Sequence, residues 1–201
     1  MAALWKLTRN PYTKRVHETL DAVGLTLSVL QVYTRSLDSP ADPMTDAVRL
    51  RYHDPEALAD SFRDADAVDR ADRVVAAYAD GARVGSVLVT AGEPVYVDAL
   101  HREFDPDGAY IWRLYVAPTA RGEGLGRLLV RAALWAATET NGPMDRATAL
   151  VAPDNVPSRS VFEAVGFEAE RELRYVRALG RERRTSHSLD TVSGGERSTS
   201  K

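Results

Sequence analysis

The chain has 201 residues, 44% of them hydrophobic, which suits one globular domain with a sizeable core plus some additional chain. A formal net charge of −3 gives no global pull toward nucleic acid or an anionic membrane. Cysteine is absent, which excludes a thiol nucleophile, a disulfide framework and a thiolate metal site; the four histidines (His17, His53, His101 and His187) lie far apart without ligand spacing, so no metal is expected.

The N-terminus lacks the apolar run of a signal peptide. Its most apolar stretch, Val23 to Val32, is interrupted by Thr26, Ser28 and Gln31, and is shorter than the ~20 apolar residues that span a bilayer. A soluble, cytoplasmic protein with neither membrane nor nucleic-acid partners is the expectation. Three parts are predicted: an N-terminal helix and strand extension over 1–45, a main domain over 46–180, and a disordered tail over 181–201. The extension ends in the turn-rich Ser39-Pro40-Ala41-Asp42-Pro43. In it, Val16, Leu20 and Val23 fall at helical spacing before Gly24, and Leu25, Leu27 and Val29 alternate as in a strand. Packing on the domain and self-association as a homodimer are both open to it. The tail, apart from the basic Arg181-Glu182-Arg183-Arg184, is rich in Ser, Thr and Gly and poor in apolar residues.

The main domain opens with a short strand, Val48 to Tyr52, then Asp54-Pro55-Glu56 as the start of a helix carrying Leu58 and Phe62. Val74 to Tyr78 and Val84 to Val89 flank Asp80-Gly81, a strong hairpin signal. A second hairpin is predicted around Asp105-Pro106-Asp107-Gly108, with arms Val95 to Phe104 and Tyr110 to Val116. In the latter arm Trp112, Leu114 and Val116 are predicted to share one face. Pro118 ends that strand, having no N–H for the ladder. Next comes Arg121-Gly122-Glu123-Gly124-Leu125-Gly126-Arg127, then a helix burying Leu125, Leu128, Leu129, Ala132, Trp135 and Ala136, closed by Asn141-Gly142-Pro143. A strand over Ala147 to Val151 follows. Asp154-Asn155 introduces a second helix, with Pro157 in its first turn and Gly166 at its end. Phe167 to Leu179 supplies one or two final strands.

The glycine loop has a chemical reading. The first turn of a helix carries N–H groups without partners, and the macrodipole adds partial positive charge. A glycine-rich lead-in lets this backbone approach a pyrophosphate closely, and Arg121 and Arg127 add charge on either side. Other phosphate loops do not match. A P-loop needs Lys followed by Ser or Thr, where Arg127-Leu128 stands; Gly122-x-Gly124-x-Gly126 has the wrong spacing for a dinucleotide fold.

The pattern Arg-x-x-Gly-x-Gly (Arg121, Gly124, Gly126), after a strand ending Leu114-Tyr115-Val116-Ala117-Pro118, resembles the acetyl-CoA signature of the GNAT superfamily of N-acetyltransferases. Downstream, Asn155-x-x-Ser158-x-x-Val161-Phe162-x-x-x-Gly166-Phe167 resembles that family's second conserved element, in the expected order. The resemblance covers about 46–180. It implies an α/β (α+β) fold: a mixed, mostly antiparallel sheet with helices on both faces. Two central parallel strands, Tyr110 to Val116 and Ala147 to Val151, would splay around acetyl-CoA. It implies cofactor contacts from Leu114, Tyr115 and Val116 to the pantetheine arm, and from Arg121, Gly122, Glu123, Gly124, Leu125, Gly126 and Arg127 to the pyrophosphate. A backbone N–H near Val116 would polarise the thioester carbonyl. Asn155 would contact the arm or cap its helix, and Phe162 would pack, with the cofactor as one neighbour.

The resemblance leaves proton transfer unassigned. Many family members carry an acidic tyrosine where Phe162 stands, and some carry a glutamate where Tyr110 stands. Candidates for the base are Glu103, His101, Asp98 and Asp107, with Tyr110, Tyr115 and Tyr175 as acids; Arg113 either lines the acceptor cleft or pairs on the sheet surface. The expected activity is transfer of acetyl from acetyl-CoA to a primary amine: a protein N-terminus, a lysine or a small molecule. A non-catalytic acyl-CoA-binding or sensing module is the alternative.

Overall fold

The computed structural model describes residues 25–37, 49–54, 71–140 and 144–189. The expected helices around 16–23 and 56–62, the Asn141-Gly142-Pro143 stop and the chain beyond 189 lie outside them.

Ten strands and two α-helices make up the described fold: β1 (Leu25–Ser36), β2 (Arg49–His53), β3 (Arg73–Ala79), β4 (Ala82–Ala91), β5 (Val95–Val97), β6 (Arg102–Phe104), β7 (Ala109–Val116), α1 (Leu125–Thr140), β8 (Arg146–Val151), α2 (Val156–Ala164), β9 (Glu168–Ala178) and β10 (Arg181–Ser188). Eight strands form one sheet in the order β10-β9-β1-β8-β7-β4-β3-β2, and β5 and β6 form a separate ribbon. All neighbours in the sheet are antiparallel except β7 and β8.

Alternation along the strands sends residues to two layers. Tyr33, Ala109, Ile111, Ala147, Ala149 and Val151 face one core, where they meet Leu129, Val130, Ala133 and Leu134 of α1 and Phe162 of α2. Each fully buried leucine there contributes about 1.5–3 kcal/mol. Val32, Tyr110, Leu173 and Tyr175 face the opposite side. There Val95 and Phe104 of the ribbon, with Leu100 of the one-turn 3-10 helix between its strands, cover them. Gly85 sets the spacing of α1 on the sheet: a Cβ there would lie 2.8 Å from Leu129 Cδ1.

The Asp80-Gly81 hairpin forms as expected, with φ of +49° and +79° at its two turn residues. That is the left-handed pair a tight, right-twisted hairpin needs. Three expectations fail. The 95–104 arm does not pair with 110–116. Asp98 to Leu100 coil into a 3-10 turn, His101 adopts φ +46°, and the arm folds back on itself as β5 and β6, while β7 pairs with β4 and β8. Nor does Trp112 share a face with Leu114 and Val116. Ser86 and Leu88 of β4 pair with Tyr115 and Trp112, so β7 holds one extra residue, and Arg113 sits in the resulting bulge with φ +49°. A bulge reverses the alternation; Leu114 and Val116 pack with the α1 core and Trp112 with the opposite layer. Finally, the segment from 181 is not disordered throughout: Arg181 to Ser188 pair residue for residue with β9. Backbone hydrogen bonds hold this mainly polar edge strand where composition offers no apolar signal.

The N-terminal strand is likewise no appendage. β1 lies between β8 and β9 and pairs with both.

Candidate active site

β7 and β8 pair only at Ala109↔Ala147 and Tyr110↔Thr148. Gly108 stands at the base of this junction with φ +85°, its α-carbon against the Arg146 carbonyl, and the Thr148 hydroxyl donates to the Asp107 carbonyl at 3.1 Å. Past this anchor the two strands part. The bulge at Arg113 adds local twist to β7, and its opposite edge stays paired with β4 as far as Gly85↔Val116.

Two adjoining clefts open beside the parted strand. One, of about 330 Å³, is lined by Leu114, Tyr115, Val116, Asn155, Ser158 and Val161 among others. The second, of about 360 Å³, lies against the loop and the first turn of α1, bounded by Arg121, Gly122, Gly124, Leu125, Gly126 and Arg127. Val116, Arg121, Gly126 and Val161 line both, so the two form one continuous surface.

The loop chemistry follows from its backbone. Gly122 and Gly124 take φ of +88° and +81°, conformations that cost a side-chain-bearing residue about 1–2 kcal/mol. Gly126 has an ordinary backbone but no room: a Cβ would lie 3.1 Å from Val161 Cγ2 on α2. The first α1 hydrogen bond runs from Leu128 N–H to the Gly124 carbonyl at 3.1 Å. The N–H groups just before it therefore point along the helix axis into the second cleft. Arg121 Nε donates to the Val116 carbonyl at 3.1 Å, tying the loop to the end of β7. Amides at a helix start with two arginines beside them can hold a diphosphate.

α2 forms the other wall. Asn155 accepts from Ser158 N–H at 3.3 Å, so it caps the helix and also lines the first cleft. The helix is clamped to β1: Tyr33 donates to Glu163 Oε1 at 2.9 Å and accepts from Arg159 Nε at 3.1 Å, while Arg35 reaches the Val165 carbonyl at 2.6 Å. Burial holds the Tyr33 hydroxyl above its ordinary pKa, and the Arg159 hydrogen bond opposes that.

Of the residues singled out from sequence, Leu114, Tyr115, Val116, Arg121, Gly122, Gly124, Leu125, Gly126, Arg127 and Asn155 line the clefts. Glu123 is exposed on the loop and lines neither. Phe162 is buried edge-to-face on Phe167 at 5.1 Å, and its neighbour Val161 meets the cleft instead. Glu103 pairs with Tyr96 in the ribbon, and both are exposed on its outer side. His101 lies against the Tyr175 ring at 4.9 Å, and its carbonyl accepts from Arg184 at 2.9 Å. Tyr110 is buried between Phe104 and Trp112, and that burial pushes its hydroxyl well above the ordinary tyrosine range. Asp107 pairs with Arg146 at 2.9 Å, and Asp98 opens the 3-10 turn. Among the described residues that line the two clefts, none carries a carboxylate or an imidazole. Sequence reasoning missed Ser158 and Val161 as lining residues, although their three-residue steps from Asn155 place them on one helix face.

A family model for the acetyltransferase (GNAT) family matches residues 35–167. The chain belongs to that family. Among solved structures it is similar to a Drosophila protein (15% identity, TM-score 0.55, covering 84% of this chain and 58% of that one). It is also similar to a GCN5-related N-acetyltransferase from Kribbella flavida (16%, 0.53, 82% and 63%). A third is an acetyltransferase from the GNAT family from Colwellia psychrerythraea (12%, 0.51, 83% and 62%). The chain thus spans about three fifths of the length of these structures. At these identities the likeness is one of fold. Among curated proteins no sequence matches the chain.

Proposed function

We propose that this chain transfers an acetyl group from acetyl-CoA to a primary amine. The observation that carries the reading is the parting of β7 from β8 directly beside a cleft that runs on to the glycine loop. In this reading the amides from Gly122 to Arg127 hold the diphosphate, and the open edge of β7 at Leu114 to Val116 pairs with the pantetheine arm. Bound acetyl-CoA supplies the acetyl group on a good leaving group, a thiolate.

The chain's own part is to position, polarise and move protons. An N–H at the open end of β7 sits where the thioester oxygen gains charge, and stabilises it. Tyr115, exposed at the cleft and on the strand that borders it, is the hydroxyl best placed to protonate the departing sulfur. Tyr110 is enclosed in the layer below, and Phe162 has no proton to give. In this reading water takes the proton from the attacking ammonium before or during attack.

Titration calorimetry with acetyl-CoA tests the binding half. Gly124→Val forces a β-branched residue into φ +81° and re-aims the loop amides. We expect affinity to fall about tenfold or more while circular dichroism stays native. Unchanged affinity would refute the loop assignment. Thiol release with an amine panel tests the chemistry. Tyr115→Phe should slow kcat about 10- to 100-fold with acetyl-CoA affinity intact. Equal rates would remove Tyr115 from the mechanism. Binding without thiol release from any amine would favour an acyl-CoA-sensing module.

A further inference from the structure

The edge of β7 that the proposed reaction gives to the pantetheine arm already has a partner at its end. Ala117 N–H donates to the Val84 carbonyl, just before β4 meets Val116, at 2.8 Å. The N–H and C=O of one trans peptide point opposite ways. The Val116 carbonyl shares that peptide, so it points away from β4, to the side on which β8 has parted. There it accepts from Arg121 Nε at 3.1 Å. A one-turn 3-10 helix over Pro118–Ala120 folds the chain back so that this contact spans only five residues. Arg121 borders both clefts, and it makes no second hydrogen bond or ion pair among the described residues.

One guanidinium thus stands between two sites with different needs. A pantetheine arm offers amide N–H groups, which can use the Val116 carbonyl only after Arg121 lets go of it. A diphosphate at the loop offers oxyanions, which a guanidinium fork binds more strongly than it binds a neutral carbonyl.

We infer that Arg121 is a donor-specificity residue: it covers the Val116 carbonyl until a diphosphate draws it away, so the arm pairs with β7 only as part of a nucleotide-bearing thioester. This rests on the acetyl-CoA reading above. Whole acetyl-CoA breaks the bond from Arg121 to Val116 and replaces it with one to phosphate. A thioester of pantetheine alone breaks it without replacement, and its affinity falls in proportion to the fraction of molecules whose Val116 carbonyl is free.

Titration calorimetry with acetyl-CoA and with S-acetylpantetheine, on wild type, Arg121→Ala and Arg121→Gln, separates the two contacts. Arg121→Ala should bind S-acetylpantetheine about three- to tenfold more tightly than wild type, and acetyl-CoA about tenfold less tightly. The opposite signs are diagnostic, because loss of a structural support would weaken both. Glutamine places its amide nitrogen where arginine has Nε, so Arg121→Gln keeps the bond to Val116 without the charged fork. It should lose acetyl-CoA affinity as the alanine variant does, and bind S-acetylpantetheine no better than wild type. A gain in Arg121→Gln equal to that in Arg121→Ala would trace the effect to bulk rather than to the bond, and overturns the inference. So does S-acetylpantetheine affinity that is equal in wild type and Arg121→Ala, undetectable in both included, or lower in the variant. Unchanged acetyl-CoA affinity in Arg121→Ala overturns it as well, since no diphosphate then draws the arginine away. Failure of wild type to bind acetyl-CoA at all is a different result, and overturns the function beneath it.

Discussion

Gly108 and Gly124 both take left-handed backbones, but a side chain meets different things at each. At Gly124 a Cβ would find only the flexible Arg127 guanidinium, 3.4 Å away. At Gly108 it would run into the Arg146 carbonyl, in the backbone of β8. One glycine shapes the loop proposed to hold the cofactor, and the other lets β7 and β8 start side by side before they part. Gly108→Ala should therefore destabilise the fold by about 3 kcal/mol or more, from strain and clash together. Urea unfolding checks this, and a loss under about 1 kcal/mol would show that the strand junction yields easily. From sequence, Gly108 reads as an ordinary turn residue after Pro106-Asp107. Its role at the junction depends on a β8 carbonyl almost forty positions away, which no local pattern encodes. The loop glycines were legible because their spacing, with Arg121 and the preceding strand, is itself the signal.

At the scale of elements, legibility follows local chemistry. The β3–β4 hairpin could be read because Asp80-Gly81 is the pair of residues that best tolerates its turn. The β9–β10 hairpin uses the same kind of turn, with φ of +50° at Leu179 and +74° at Gly180, but a leucine in the first position hides it. β10 compounds the difficulty, since an edge strand needs only backbone partners and shows no hydrophobic alternation. The bulge in β7 was hidden for a related reason: Arg113 holds a position whose sequence marker is usually glycine. Missing it reverses the predicted facing of Trp112 relative to Leu114 and Val116. That matters for the proposed site, because the bulge puts Leu114 and Val116 beside the helices and leaves Trp112 in the opposite layer. The glycine-loop half of the proposed site was thus legible as a motif, whereas the other face of β7 is set by an irregularity and by a ribbon folded over it.

For the whole molecule, the decisive feature is where β1 lies. Reading 1–45 as an extension assumed that residues 46–180 close their own sheet. They do not: β8 and β9 are separated by β1, which pairs with β9 from Leu25 to Thr34 and with β8 from Gln31 to Ser36. β1 also supplies Tyr33 and Arg35, the residues that fix α2, and so the wall that carries Asn155, Ser158 and Val161. The family match begins at residue 35, after most of this strand, so its contribution is visible only in three dimensions. A fragment spanning residues 49–189 should consequently fail to fold alone. It would leave the facing edges of β8 and β9 unpaired and expose the buried positions that Val32 and Tyr33 cover. Adding a peptide of residues 25–37 should restore cooperative melting and acetyl-CoA binding together, because the missing strand completes the sheet and the α2 wall in one step. Circular dichroism and calorimetry on the fragment, with and without the peptide, check this. A fragment that melts cooperatively and binds acetyl-CoA without the peptide would mean that β8 and β9 can close on each other, and that the N-terminal strand is an addition to the domain rather than part of its core.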